Sequence, residues 1–411
     1  MMTHLESNNL LYEWQHGFRS RRSCETQLVT FLHHLAQNMD RGRQTDAVIM
    51  DFSKAFDKVP HRRLMKKLCH YGIRGNAHRW ITSFLHGRSQ RVVVDGNASQ
   101  PAPVLSGVPQ GTVLGPILFL IYINDLPSNL QSDCRLFADD CILFRPILSK
   151  SDPDILQRDL DRLADWEDTW LMSFNPDKCN SMTISKSLNP TKTTYSLRGH
   201  PLDIVESSKY LGVTIDHRLR WKPHINTITN RANSVLGLLR RNLHNAHTPI
   251  KEKAYNALVR PHLEYCCSVW DPHQQYLSRQ LEMVQRRAAR FTLNRYHNTS
   301  SVSSMLRQLN WSTLAQRRVV TRLCLTYKVT HCLVAIPFVP YLTPLHYASR
   351  HCHSMSYTRY SPRTDLFKYS YFPRTIVQWN ALPEEIVALT TVEAFRSAVQ
   401  SHYETARPPL Y

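Results

Sequence analysis

Leu136-Phe137-Ala138-Asp139-Asp140-Cys141-Ile142-Leu143-Phe144 sets two adjacent carboxylates between two short apolar runs. Asp is depleted in strands, and neighbouring carboxylates repel each other unless a cation lies between them. A doublet at the tip of an apolar hairpin therefore asks for a local positive charge. A divalent metal ion meets that need; a solvated Asp-Asp turn is the plainer alternative. A third carboxylate closing another buried strand would decide between the two, and Asp51 qualifies. Ala47-Val48-Ile49-Met50 is a continuous apolar run, too short for a helix and suited to a central strand, and Asp51 ends it at the mouth of a sheet. Two such strands side by side in an antiparallel sheet bring Asp51, Asp139 and Asp140 within reach of two divalent ions about 3.5–4 Å apart, the geometry that stabilises in-line displacement at phosphorus. Hard oxygen ligands fit Mg²⁺, and no His or Cys stands beside these residues to argue for zinc.

The chain has 411 residues, enough for two or three domains with sizeable cores, and 42% of them are hydrophobic, as in a globular protein. Its formal charge of +19 points to a polyanionic partner, with nucleic acid first. The excess is uneven, because residues 217–330 carry 19 Lys and Arg against 4 Asp and Glu and so supply 15 of those charges. The ten cysteines show no C-x-x-C spacing and read as the reduced thiols of an intracellular chain, with nothing to choose between nucleus and cytoplasm. His331-Cys332 and His351-Cys352-His353 lie too close in sequence to surround one zinc ion tetrahedrally. The longest apolar run, Val113 to Ile123, is too short to span a bilayer and contains Gly115-Pro116, which argues against a membrane partner.

Along the chain, residues 1–12 read as the end of a helix, so the first Met falls inside an element. Gln15-His16-Gly17-Phe18-Arg19-Ser20-Arg21-Arg22 is a basic loop whose arginines either hold phosphates or are simply solvated. After Asp51, Asp57 either caps the helix His61 to His70 that Pro60 opens or joins the site. Phe56 lies close enough to Asp51 to wall the same pocket. Arg91 to Gly96 followed by Val104-Leu105 predicts a hairpin turning near Asp95-Gly96. Ser106-Gly107-Val108-Pro109-Gln110-Gly111 is a glycine-containing loop that lets backbone approach a ligand, with Gln110 able to hydrogen-bond a base or sugar edge. It feeds an apolar helix over Ile117 to Leu126. Asp152-Pro153 opens a helix through Trp170, Lys178 precedes a strand over Ser181 to Ile184, and Lys209 to Ile215 reads as a closing strand. Helices rich in Arg follow at Ile225–Leu243, Ile250–Val259 and Arg279–Phe291, suited to tracking a duplex backbone. Residues 331–373 read as a linker or loosely folded strip, and Thr375 to Ala398 regains a helical signature.

The ordered series Asp51-Phe52-Ser53-Lys54-Ala55-Phe56-Asp57, Ser106-Gly107-Val108-Pro109-Gln110-Gly111, Phe137-Ala138-Asp139-Asp140 and Lys209-Tyr210-Leu211-Gly212 resembles the reverse transcriptase of non-long-terminal-repeat retrotransposons of the jockey and chicken-repeat kind. Gln15-His16-Gly17-Phe18-Arg19 is similar to that family's fingers motif, and Arg374-Thr375-Ile376 with Trp379-Asn380-Ala381-Leu382-Pro383 is similar to its C-terminal region.

The resemblance implies an α+β right-hand polymerase. Residues 1–216 would form partial fingers and an antiparallel-sheet palm flanked by helices, 217–330 a basic helical thumb, and 331–411 a C-terminal linker with a small helical tail. It implies RNA-directed DNA synthesis: transfer of deoxynucleoside triphosphates to the 3′-hydroxyl of a DNA primer on an RNA template, with two Mg²⁺ ions and Mn²⁺ as a substitute. By motif, Asp51, Asp139 and Asp140 are the catalytic metal ligands, with the Phe52 carbonyl as an extra ligand. Phe56 is the steric gate against a ribose 2′-hydroxyl, Gln110 and Gly111 line the nucleotide site, and Lys178 protonates pyrophosphate. Lys209, Tyr210, Leu211 and Gly212 form the primer grip, and Arg19 contacts template.

The family's chain normally has further fingers sequence upstream and usually an apurinic-type endonuclease before that, so Met1 reads as the start of a truncated copy or an incomplete gene. A non-catalytic nucleic-acid-binding remnant is the alternative from another class. An RNA-templated RNA polymerase fits less well, because Phe56 is bulky and Ala138 stands where such enzymes usually carry glycine.

Overall fold

The computed structural model describes residues 1–297, 299–345 and 353–405. The chain forms two compact units, one of Met1–Gln27 with Gly42–Leu211 and the other of Leu28–Arg41 with Gly212–Tyr411. The division cuts through helix α1, Cys24–Asp40.

The first unit is organised on strand β1, Gln44–Asp51, whose six inner residues are all buried. A strand covered on both faces must be apolar along its length rather than alternating, which is why Ala47 to Met50 reads as an unbroken run. The other strands are β2 (Asp133–Phe137), β3 (Asp140–Ile147), β4 (Asn180–Ile184) and β5 (Asp203–Ile204), in the spatial order β5-β4-β1-β3-β2. β1 runs antiparallel to both β3 and β4, pairing Ala47 with Phe144, Val48 with Leu143, Ile49 with Ile142 and Met50 with Cys141.

Three helices pack into this core: α2 (His61–His70), α3 (Leu114–Ile123) and α4 (Asp152–Trp170). α4 starts where Asp152 gathers Arg145 Nε at 2.7 Å and the backbone N–H groups of Leu148 and Ser149 at 2.9 and 2.7 Å, with Pro153 in the first turn. Its Leu156, Leu160 and Leu163 are wholly buried, each contributing roughly 1.5–3 kcal/mol. Trp166 and Trp170 form with Tyr122 a cage around the buried Lys67 ammonium, 3.6 Å above the Trp170 ring. α3 begins earlier than its hydropathy predicts, because the turn at Thr112, whose hydroxyl accepts the Gly115 N–H at 3.0 Å, starts it.

Two sequence expectations need correction. The hairpin turns at Asp95-Gly96 as expected, both at positive φ, but Val93–Val94 pairs with Asn97–Ala98 and the outer rung joins Ser89–Gln90 to Ala102–Pro103. Lys209 to Ile215 is not one strand: short strands Ser207–Tyr210 and Val213–Asp216 are separated by a turn at Leu211 (φ 46°) and Gly212 (φ 84°).

The second unit is helical: α5 (Lys222–Asn242), α6 (Gln275–Leu293), α7 (Leu314–Thr330), α8 (Tyr371–Trp379) and α9 (Val392–Thr405). α7 opens on a capping box between Thr313 and Gln316. Asp271 lies at the centre of this unit, 2.6 Å from Arg318, 3.1 Å from Arg322 and 3.2 Å from Arg374. The expected linker is not one over its described part. Tyr341 stacks on Phe372 at 4.7 Å, Tyr357 is buried, and α8 begins within the span because its apolar face packs, whatever its Pro, Ser and Tyr content suggests. His351 and Cys352 lie outside the described residues, while His353 Nε2 donates to the Trp379 carbonyl at 2.9 Å. Among the described residues no helix is long and apolar enough to cross a membrane.

Candidate active site

Strand register brings the carboxylates together. Asp51, last in β1, is the direct cross-strand partner of Asp140, first in β3. Asp139 occupies the turn between β2 and β3, just after Ala138 at φ 52°. Three carboxylates then share one partly buried end of the sheet. Burial, reinforced by the charges of Asp139 and then Asp51, pushes Asp140 up to about 6. Asp139 is also raised, by burial first and by Asp51 after it. These shifts register an unmet demand for positive charge.

One side chain answers part of it. Lys178, on the turn Pro176–Lys178 that precedes β4, lies with Nζ 2.7 Å from Asp51 Oδ2. Its turn is fixed to the same strand end, because Asn175 N–H donates to the Asp51 carbonyl at 2.8 Å. Among the described residues no three His, Cys, Asp or Glu side chains already converge on a common point as ion ligands. The three Asp nevertheless fit a divalent cation on charge and donor type, being all-oxygen, adjacent and mutually repelling.

The glycine-containing loop is laid onto the turn after Asp51. Val108 N–H donates to the Phe56 carbonyl and Gly107 N–H to the Val59 carbonyl, both at 2.8 Å. Ser106 Oγ donates to the Asp57 carbonyl at 2.9 Å. Gly107 has φ 89°, and a Cβ there would stand 2.7 Å from the Asp57 carbonyl oxygen, so only glycine lets the two segments approach. Gln110 donates from Nε2 to Asp57 Oδ1 at 3.0 Å, and Gly111, at φ 74°, is exposed beside it. Phe56 is half-buried, its ring stacked on Phe119 at 4.5 Å and set edge-on to Phe18 at 6.1 Å. Phe52 is buried and stacks on Phe174 at 4.1 Å. Asp57 does not cap α2: Pro60 holds the capping position with no side-chain bond.

Other candidates stand differently. Arg19 is engaged by Glu6, with N–O distances of 2.8 and 2.6 Å, and by the Tyr12 carbonyl at 2.7 Å; its side chain is 7% exposed. Tyr210 is buried, its hydroxyl accepting from Gln27 Nε2, whereas Lys209 is exposed. Sequence reading missed Gln15, which bonds the doublet's turn, and left Asp57 between a helix cap and a place beside the site, where it orients Gln110. Only the glycine of Gln15-His16-Gly17 hinted at the first, as a mark of close backbone approach.

Residues 1–215 match the family described as reverse transcriptase (RNA-dependent DNA polymerase). The chain is 30% identical over 305 residues to "Probable RNA-directed DNA polymerase from transposon BS" of Drosophila melanogaster, a match covering 70% of this chain and 33% of that protein. It is 28% identical over 241 residues to the RNA-directed DNA polymerase from mobile element jockey of the same organism, covering 56% of this chain and 26% of the relative. The chain thus spans about a quarter to a third of the length of these relatives. A solved telomerase from Candida tropicalis is 10% identical with a TM-score of 0.40, over 81% of this chain and 49% of that one.

Proposed function

The chain belongs to the reverse transcriptase (RNA-dependent DNA polymerase) family, and from that premise we propose that it adds deoxynucleotides to the 3′-hydroxyl of a DNA primer on an RNA template. The observation that carries the reading is the cross-strand pairing of Asp51 with Asp140 beside Asp139, with the Asp139 and Asp140 carboxyls raised by burial and by neighbouring carboxylates. Asp51, Asp139 and Asp140, with the Phe52 carbonyl, would hold divalent ions, Mg²⁺ by donor type and Mn²⁺ as its substitute. Bound there, the ions supply activation of the hydroxyl and neutralisation of charge on the departing pyrophosphate.

The chain's own groups do the rest. The Phe56 ring, braced on Phe119, walls the sugar side and excludes a 2′-hydroxyl. Gln110, oriented by Asp57, meets the nucleotide, and Gly111 leaves room for its backbone approach. Lys178 neutralises Asp51 in the free protein. At this strand end its ammonium would give a proton to the leaving oxygen of the triphosphate. Lys209 and the backbone of Tyr210, Leu211 and Gly212 grip the primer, while the Tyr210 ring is anchored on Gln27.

In the terms of a right-handed polymerase, the five-stranded sheet is the palm, residues before it contribute fingers, and the basic helices after residue 217 form the thumb. The test is extension of oligo(dT) on poly(rA) with dTTP and Mg²⁺. Template-dependent products are expected from wild type. A folded chain that binds the hybrid without extending the primer would contradict the proposal.

A further inference from the structure

The turn that carries Asp139 is held from outside its own hairpin. Ala138 adopts φ 52°, a left-handed conformation that a residue with a Cβ keeps only where its surroundings over-determine it. Those surroundings are the segment Trp14–Gly17. His16 N–H donates to the Leu136 carbonyl at 2.8 Å, and Leu136 N–H donates to the Trp14 carbonyl at 3.0 Å, so the segment adds a rung beside β2. From there the Gln15 side chain, 2% exposed, puts one oxygen under two donors: Oε1 accepts from Ala138 N–H at 2.9 Å and from Gly17 N–H at 2.8 Å. Its Nε2 is buried and has no partner among the described residues, so the oxygen alone makes the side chain's hydrogen bonds there. Gly17 closes the contact from the other side. A Cβ built on it would stand 2.3 Å from Ala138 N, a distance that forces backbone to move.

A side chain that merely stitched two loops together would have no reason to bond the strained residue immediately before the doublet. We propose that Gln15 is a positioning residue for the catalytic carboxylates: its oxygen, with Gly17 packed on Ala138, sets the turn that aims Asp139 and Asp140 at the ions. This deepens the polymerase reading and rests on it for the role of the ions. Partners that orient ligands in this way typically govern metal affinity and rate together.

The test uses the full chain, with Gln15→Met, which keeps length and loses the acceptor, and Gln15→Glu, which keeps the acceptor oxygen and replaces the unpartnered amide nitrogen by a second carboxyl oxygen. Mn²⁺ affinity is read by paramagnetic relaxation without substrate, Ala138 amide exchange by mass spectrometry, and primer extension as kcat and KM for dTTP. Gln15→Met is expected to weaken Mn²⁺ binding and lower kcat by about ten- to hundredfold, to speed Ala138 exchange and to leave KM for dTTP little changed. Gln15→Glu is expected to recover most of that loss.

A folded Gln15→Met chain with wild-type Mn²⁺ affinity would overturn the inference. So would a Gln15→Glu chain that folds yet binds Mn²⁺ about tenfold or more weaker than wild type, and this comparison decides if the Met variant fails to fold. A wild-type chain that binds Mn²⁺ but extends no primer contradicts the polymerase reading alone, because the Mn²⁺ affinities of the two variants still decide the role of Gln15.

Discussion

Replacing Asp140 by Asn should make the metal-free protein more stable, although it removes a residue at the centre of the proposed chemistry. The carboxyl is raised from 3.8 to about 6 by burial, Asp139 and Asp51. At about 1.4 kcal/mol per unit, ionising it at neutral pH costs the fold up to about 3 kcal/mol, and nearer 2 kcal/mol once its partial exposure is allowed for. The sign follows from linkage. Between the unfolded value and about 6, the folded state binds the proton that the unfolded state has released, so stability falls as pH rises through that window and is flat above it. Asn at this position carries no charge and escapes the penalty.

Thermal unfolding of the full chain in chelator at pH 7.5 should therefore show Asp140→Asn with a midpoint roughly 4–8 °C above wild type. The gap should narrow as pH falls through that window and close at about pH 3, where the wild-type carboxyl is largely protonated in both states. Millimolar Mg²⁺ should raise the wild-type midpoint more than that of the variant. Equal or lower stability of Asp140→Asn at pH 7.5, or an advantage that persists undiminished at about pH 3, would refute the electrostatic reasoning.

Asp271→Asn is expected to cost about 3–5 kcal/mol in urea unfolding, because it leaves Arg318 and Arg322, both 1% exposed, without their carboxylate. Gly107→Ala should lower kcat/KM for dTTP about tenfold or more, since its Cβ would meet the Asp57 backbone at 2.7–2.9 Å and push away the loop carrying Gln110. Phe56→Ala should raise incorporation of ribonucleotides relative to deoxynucleotides by about tenfold or more, read in paired extension reactions.

The elements that were legible in the sequence are those whose pattern is local. β1 announces itself as an apolar run ending in Asp, α4 as Leu156, Leu160 and Leu163 at helical spacing, and the Asp95-Gly96 turn as a dipeptide that tolerates positive φ. What stayed hidden depends on partners distant in sequence. Arg19 reads as a free phosphate ligand until Glu6 is seen beside it, because sequence reports a charge and not its counter-ion. The turn at Leu211 has no signal of its own, since only the following Gly212 advertises positive φ and the flanking residues favour strand. α8 was obscured by composition, its Pro, Tyr and Arg being helical only because Phe372, Ile376 and Trp379 find a core. Within the site, the approach of Asp51 to the doublet could be argued from two buried strands, but the Gln15 oxygen on Ala138 joins residues 123 positions apart, and no periodicity records it.

The account stands most directly on whether these three carboxylates support RNA-templated DNA synthesis with a divalent ion. The decisive measurement is single-turnover extension of oligo(dT) on poly(rA) across a Mg²⁺ titration, for wild type and Asp139→Asn bound to the same hybrid with equal affinity. We predict a rate that saturates with Mg²⁺ in wild type and falls by at least about a hundredfold in Asp139→Asn. Equal rates for the two proteins, or no extension by a wild-type chain that holds the hybrid, would contradict the claim.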